Sequence, residues 1–324
     1  MWELINQQDA ELRTFIRVLK RLLKSGKIKV TKKGKLVLIR SVPYVPLVHL
    51  GCKRCESTTI VLSGIFKDTL REYRRLIRGR PLPTPEYDQG FMRPVDVVRR
   101  AAFMYKRGDL EQKRILIIGD DDLLSLALGL TRMPKRVTVL EIDERIVSFI
   151  NRVAKEHGLN VQANIYDVRR PLPRKMQRTY NAFVCDPVET IEGIKLFLSR
   201  GTSGLKGKQA ALYFGLTHRE ASLEKWYAIQ RMLLDMGYTI TDILDNFSTY
   251  PDKENKLERF YSSWDLFKNI PKELKQFLPD VNWYKSALIR AELMGKPKEI
   301  VKGYVELRKE MYLDNESWVV PYRE

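Results

Sequence analysis

The sequence predicts an α/β protein built on a mostly parallel, doubly wound sheet with an antiparallel edge, preceded by a small basic α+β unit. Three observations carry this. From about residue 90 onward, short apolar runs alternate with segments of helical periodicity, the pattern of a parallel sheet covered on both faces. The last two runs, 238–244 and 283–293, are separated by an insert instead of a regular crossover helix, which suggests an added antiparallel edge. The charge is also divided. Of a net +18, residues 1–80 hold 19 Lys/Arg against 6 Asp/Glu, so the basic character belongs mainly to the first unit.

The elements follow in order. Leu12, Phe15, Ile16, Leu19 and Leu23 recur at helical spacing, and Ser25-Gly26 stops the run. Lys27–Thr31 and Lys35–Ile39 read as two strands around a Lys-Lys-Gly turn. A helix followed by a basic hairpin resembles the end of a winged helix, a module that binds DNA in some proteins and serves docking or dimerisation in others. Proline-punctuated connectors lie at 42–46 and 80–85, and between them sit Cys52-x-x-Cys55 and a basic helix around 65–78.

Pro94–Lys106 is then a helix, and Arg114–Ile118 a buried strand followed by the helix Leu123–Leu130. Further strands are expected at Arg136–Glu141, Val161–Tyr166, Tyr180–Cys185, Gln209–Phe214, Tyr238–Leu244 and Trp283–Leu293. Between them, Ile146, Phe149, Ile150 and Val153 mark one helix, Thr190–Ser199 another, and Leu223, Trp226, Ile229, Leu233 and Met236 a third. This is the order of the class I methyltransferase Rossmann domain. The expected units are a winged-helix-like one at 1–85, a Rossmann-like one at 86–295 and a charged tail at 296–324. The insert at 247–280, with its Tyr-Pro-Asp-Lys-Glu-Asn-Lys stretch, exceeds an ordinary connection and is a candidate lid.

Composition, 44% hydrophobic and 30% charged, is that of a globular protein. No apolar run approaches the ~18–20 residues of a membrane span, and the first residues lack a signal-peptide core. A cytoplasmic location without membrane contact is the expectation. Cys52 and Cys55 form a zinc-knuckle-like pair, but a structural zinc needs four ligands, and His49 would make only a third. A half-site completed by a partner, a redox pair and a remnant all stay open, and no metal is expected in this chain. Cys185 ends an apolar strand and reads as a small buried residue.

The chemistry lies at the strand ends. The first strand of the sheet runs into Gly119-Asp120-Asp121-Asp122. A nucleotide-binding loop here is normally glycine-rich; three acids suit a cationic ligand better than a phosphate. One of them, Asp122, is expected to cap the following helix. The others exceed what capping needs, and crowded carboxylates raise one another's pKa. Glu141 ends the second strand 22 residues after Gly119, where an acid receives ribose hydroxyls in dinucleotide folds. Asp143 follows it, with capping of the next helix as the stronger reading. Asp167 ends the third strand, either as an adenine-amine acceptor or as a loop acid. Asp186 and Glu189 follow the fourth strand in Asp-Pro-Val-Glu, where amino-methyltransferases carry Asn/Asp-Pro-Pro-Tyr. Glu220 comes near that edge after the fifth.

The segments Arg-Gly-Asp-Leu-Glu-x-Lys (107–113), Gly-Asp-Asp-Asp (119–122), Met-Pro-Lys (133–135), Asp-Glu-Arg (143–145), Asp-Pro-x-Glu (186–189), Tyr-Phe-Gly-x-Thr (213–217) and Asn-Trp-Tyr-Lys-Ser (282–286) closely resemble the branched-chain polyamine synthases of thermophiles. The resemblance covers about 50–290 and is most specific from 87 to 220. Val188 stands where members often carry a second proline, and the amino-terminal region is shorter. The resemblance implies aminopropyl transfer from decarboxylated S-adenosylmethionine to the secondary amine of spermidine, with no prosthetic group. It implies Asp121 as the catalytic acid, Asp88, Asp120, Asp122, Asp186 and Glu189 on the polyamine, and Gly119, Glu141, Asp143 and Asp167 on the donor. It also implies a homodimer. The attacking amine must be neutral although alkyl amines have pKa values near ~10.4, so a carboxylate has to take or hold its proton.

Two other functions fit parts of the sequence. A nucleic-acid methyltransferase would explain the basic first unit, yet Glu189 stands where a base-stacking aromatic would sit. A polyamine-sensing winged-helix regulator would lack turnover. Nucleic acid is not the expected substrate, and the basic face is expected to serve assembly.

Overall fold

The computed structural model describes residues 1–6, 8–33, 36–43, 52, 54–56, 58–251, 270 and 281–317. The first unit begins with a short helix α1 (Trp2–Ile5) and continues into α2 (Leu12–Lys24). Glu11 starts α2 by accepting the backbone N–H groups of Arg13 and Thr14, which satisfies two donors that the first helical turn leaves free. The hairpin β1 (Ile28–Lys33) and β2 (Leu36–Ser41) is antiparallel, Ile28 facing Ser41. Leu12, Phe15, Ile16 and Leu19 bury one face of α2 in a core that also takes Trp2 and Trp283. The two indoles lie 5.1 Å apart, so the first unit is anchored on the start of the last strand.

The helices α3 (Ile65–Leu76) and α4 (Pro94–Lys106) lead into the main sheet. Its strands are β3 (Arg114–Ile118), β4 (Arg136–Glu141), β5 (Val161–Ile165), β6 (Ala182–Cys185), β7 (Ala211–Leu216), β8 (Tyr238–Thr249) and β9 (Lys285–Leu293). Their spatial order is β5-β4-β3-β6-β7-β9-β8. Pairings among β3 to β7 are parallel, whereas β9 runs antiparallel to both β7 and β8. The helices α5 (Leu124–Leu130), α6 (Glu144–Glu156), α7 (Ile191–Gly204) and α8 (Leu223–Asp235) connect the strands. All of β6 and β7 is buried, as continuous apolar runs require when both faces are covered. The sheet and its antiparallel edge agree with the expected Rossmann-like class.

The charged tail is tied to the sheet domain through its backbone. Arg200, 2% exposed, donates to the carbonyls of Val168, Arg169, Val301 and Gly303. Backbone N–H groups of Val301 and Val305 bond Ser199 Oγ and the Arg169 carbonyl. A single buried guanidinium thus ties the tail to the loop after β5. Most of the candidate lid, 252–269 and 271–280, lies outside the described residues, as do the tail beyond 317, the tip of the hairpin turn and His49.

Candidate active site

The strand order reverses between β3 and β6, which opens a crevice at their carboxyl ends, the usual ligand position in open α/β sheets. Gly119 ends β3 at φ +76°, a left-handed turn that a side chain would disfavour. Asp120 is 2% exposed, and both its carboxylate oxygens accept the Ser125 N–H, at 3.3 and 3.2 Å. The cap position of α5 is Leu123, itself left-handed at φ 57° and without a side-chain cap. The capping expected of Asp122 is therefore done by Asp120. The reversal at Leu123 turns the helix start back toward the earlier acid. Asp122 instead accepts the Met92 N–H at 2.6 Å, while its carbonyl receives the Tyr73 hydroxyl. Asp121 accepts the N–H groups of Gly90 at 3.0 Å and Asp122 at 3.1 Å.

On the β4–β5 side of the crevice every acid is already held. Glu141 accepts the backbone N–H groups of Asp120 (2.8 Å), Ile142 (2.8 Å) and Asp143 (3.0 Å). Asp143 caps α6 through the Arg145 N–H at 2.9 Å, pairs with the Arg145 guanidinium at 2.6 Å and accepts from Gln89 at 2.9 Å. Asp167 accepts the Arg169 N–H at 2.9 Å and its Nε at 2.7 Å. Burial works to raise Asp143 and Asp167, but the arginine hydrogen bonds outweigh it and hold both carboxyls below their ordinary values.

The β6–β7 side is different. Asp186, at the end of β6, accepts the Tyr250 hydroxyl at 2.9 Å. Gly215 on β7 leaves room for it, since a Cβ there would stand 2.5 Å from Asp186 Oδ1. Glu189 accepts the Thr217 N–H at 3.2 Å, and Glu220 accepts the Tyr284 hydroxyl at 2.6 Å. The Tyr250 and Tyr284 rings meet edge to face at 5.6 Å, so Asp186, Tyr250, Tyr284 and Glu220 form one continuous wall. Asp88, at φ 54°, is reached by solvent and yet feels the charges of Glu220 and Asp121, as a group on a cleft wall does.

Burial pushes Asp121 and Glu189 well above the usual carboxylate range, and their acidic neighbours add to it; Asp88, open to solvent on one side, is raised by its enclosure in the cleft and by Glu220 and Asp121. Burial and Asp186 raise Asp122 to about 7. Burial also raises Asp120 and Glu141, although the N–H bonds they accept oppose it. Tyr250 and Tyr284 are driven upward by burial and by the same acids, which keeps them as hydrogen-bond donors. The structure thus brings together Asp88, Asp121, Asp122, Asp186, Glu189 and Glu220. It turns Asp120 away toward the helix start.

Sequence reasoning assigned no role to several groups that shape this wall. Lys225, 4% exposed, donates to the carbonyls of Glu189 (3.1 Å) and Glu220 (3.0 Å) and to Ser317 Oγ (2.7 Å). Its ammonium pairs with Asp314 at 2.7 Å. Ser317 Oγ lies 2.9 Å from the same two carbonyls. Tyr284 stood inside a quoted motif, and Tyr250 opened the charged insert; neither pattern showed which acid it would meet. The Arg-Gly-Asp motif is scaffold, because Asp109 binds the Tyr213 hydroxyl and Arg290 deep in the sheet. Cys52 is exposed and Cys55 buried, both as free thiols.

The description "branched-chain polyamine synthase A C-terminal domain" matches residues 68–319. The N(4)-bis(aminopropyl)spermidine synthase of Thermococcus kodakarensis is 36% identical over 98% of this chain and 90% of its own length. The chain belongs to the branched-chain polyamine synthase family. A crystal structure of the C9 mutein of the Thermus thermophilus branched-chain polyamine synthase, bound to N4-aminopropylspermidine and 5'-methylthioadenosine, superposes with a TM-score of 0.86 at 34% identity. It covers 98% of this chain and 89% of the other. A Pyrococcus horikoshii protein described as a candidate RNA methyltransferase, 15% identical with a TM-score of 0.50 over 72% of this chain and 98% of its own, shares the fold.

Proposed function

We infer that this chain transfers aminopropyl groups from decarboxylated S-adenosylmethionine to the N4 secondary amine of spermidine, releasing 5'-methylthioadenosine. The observation that carries this is the division of the crevice. One side holds acids fixed by backbone and arginine, the other holds acids crowded without enough cations. The first suits a neutral nucleoside, whose hydroxyls and amine donate to fixed carboxylates. The second suits a flexible polycation. A carboxylate-bearing methyl donor would meet Asp121 and Asp122 at close range, which disfavours nucleic-acid methylation as the alternative.

In this mechanism Gly119, Glu141, Asp143 and Asp167 seat the donor nucleoside. Glu141 keeps acceptor capacity after its three backbone bonds; Asp167 has less to offer while Arg169 occupies it. Asp88, Asp122, Asp186 and Glu189 receive the ammonium groups, with Glu220 beside them, and the Tyr250 and Tyr284 rings flank the alkyl segments. Asp120 supports the loop from behind. The N4 lone pair attacks the aminopropyl carbon next to the sulfonium. A C–N bond forms, the C–S bond breaks, and its electron pair returns to sulfur. Asp121, whose raised pKa favours proton uptake, takes the proton from nitrogen, while alignment of nitrogen, carbon and sulfur supplies much of the acceleration.

The domain division at 1–85, 86–295 and 296–324, a homodimer and a cytoplasmic location complete the proposal. Among the described residues no helix is long and apolar enough to cross a membrane. Incubation with spermidine and decarboxylated S-adenosylmethionine, followed by mass analysis, is the test. Products heavier by one and two aminopropyl groups are expected. Methyl transfer from S-adenosylmethionine, or no aminopropyl product, would overturn it.

A further inference from the structure

We propose that Arg100 is the built-in counter-ion of the acidic wall, a positioning residue whose charge faces the acids while leaving their oxygens open for a polycation. This rests on the polyamine reading of the crevice. Arg100 lies on α4 and is 2% exposed. Its Nη2 is 3.3 Å from Ser248 Oγ, 3.5 Å from Met92 Sδ and 3.9 Å from Asp186 Oδ2. Its Nε has no hydrogen-bond partner among the described residues.

A guanidinium carries five donors, and burying one so poorly matched is unfavourable. Other buried arginines of the domain are spent away from the acids of the wall: Arg200 on four backbone carbonyls and Arg219 on the Gln8 carbonyl and Asn6 Oδ1. Arg99 pairs with Asp96 at 3.0 Å and Arg290 with Asp109 at 2.8 Å. Arg100 instead aims its charge at the crevice from a distance that holds it back from a close pair. That distance has a consequence. A tight fork on Asp186 would occupy the oxygens that an ammonium group needs. At 3.9 Å the field reaches the acids and their lone pairs stay available.

The groups facing Arg100 are Asp122 from the loop after β3, Asp186 and Cys185 at the end of β6, and Tyr250 beyond β8. Tyr73 of α3 donates to the Asp122 carbonyl, and Arg80 adds a second positive field on Asp122. On its own helix, Asp96 is engaged by Arg93 and Arg99. Burial and Asp186 raise Asp122, and Arg100 opposes that rise, as the placement requires.

The test compares Arg100→Met and Arg100→Lys with the parent, by thermal unfolding and by spermidine titration from pH 5.5 to 9. Without the cation, Asp122 holds its proton to higher pH. Arg100→Met should bind spermidine roughly tenfold more weakly than the parent at pH 6.5, a pKa displacement of about one unit. At pH 9 it should bind as tightly or more tightly, since a repelling charge has gone. Its unfolding temperature should match the parent most closely at pH 5.5 and fall behind progressively as the acids ionise unpaired. Arg100→Lys should follow the parent's profile. A pH-independent affinity ratio, equal destabilisation of Arg100→Met at every pH, or Arg100→Lys behaving as Arg100→Met would overturn the counter-ion role. If the parent fails to bind spermidine, the polyamine reading falls, while the pH slope of unfolding still decides the role of Arg100.

Discussion

The two sides of the crevice carry the same residue types and treat them in opposite ways. Glu141, Asp143 and Asp167 are held by backbone N–H groups, Arg145, Gln89 and Arg169. Asp121, Asp122 and Glu189 face other acids and burial raises them, and Asp88 at the open side of the cleft is raised in the same direction. The difference teaches that acid count alone does not define a cation site. What defines it is how many of the carboxylates, among the described residues, are left without a positive partner at hydrogen-bond distance. On that side the ligand completes the electrostatics.

The largest effect should come from separating chemistry from binding. Asp121→Asn should lower kcat by about two orders of magnitude or more, the scale of a general base, while calorimetric affinity for 5'-methylthioadenosine stays within about twofold of the parent. Near-normal turnover at saturating substrates would remove Asp121 from its assigned role. Next, Glu189→Gln should raise the KM for spermidine by about tenfold or more, as expected for a lost charged hydrogen bond of ~1.5–3 kcal/mol, with a smaller effect on kcat. An unchanged KM would mean that the polyamine lies elsewhere.

A pH experiment sharpens the same contrast. A carboxylate whose folded pKa is raised stabilises the fold fully below the unfolded value of ~4 and loses that contribution as pH climbs through the folded value, which is about 7 for Asp122. The free protein should therefore unfold several degrees lower at pH 8 than at pH 5, on the scale that ~1 kcal/mol shifts a domain of this size. Spermidine should recover more of the melting temperature at pH 8 than at pH 5. Equal recovery at both would place the raised acids away from the polyamine. The smallest effect belongs to Asp167→Asn. Since Arg169 already occupies that carboxylate, 5'-methylthioadenosine binding should weaken only about two- to threefold, well under the ~1.4 kcal/mol of a tenfold change. A loss of tenfold or more would show that Arg169 releases Asp167 to the ligand.

Much of this architecture was legible from the sequence. Short apolar runs ending in Gly119-Asp120, Glu141, Asp167 and Asp186 fixed both the parallel strands and the edge where those acids emerge, because a parallel sheet delivers all its carboxyl ends to one side. The helix cap was misread between Asp122 and Asp120, since it depends on a left-handed leucine, which sequence pattern disfavours. Tyr250 and Tyr284 each bond acids 64 residues away, and Ser317 reaches Glu189 across 128. No local periodicity encodes such distances. Arg100 lay in a helix that the pattern found, but its burial came from packing against β8 and the loop after β3.

The position of Ser317 has one more consequence. In chain order it follows every strand of the sheet, and proteins are made from the amino end. The sheet and its row of acids are therefore synthesised before the hydroxyl that joins the Glu189 and Glu220 carbonyls. During translation this crevice passes through a period in which its strands are present but the backbone beneath Glu189 and Glu220 lacks that clasp. The backing of the acidic wall is thus completed by a residue made after every strand that carries the wall.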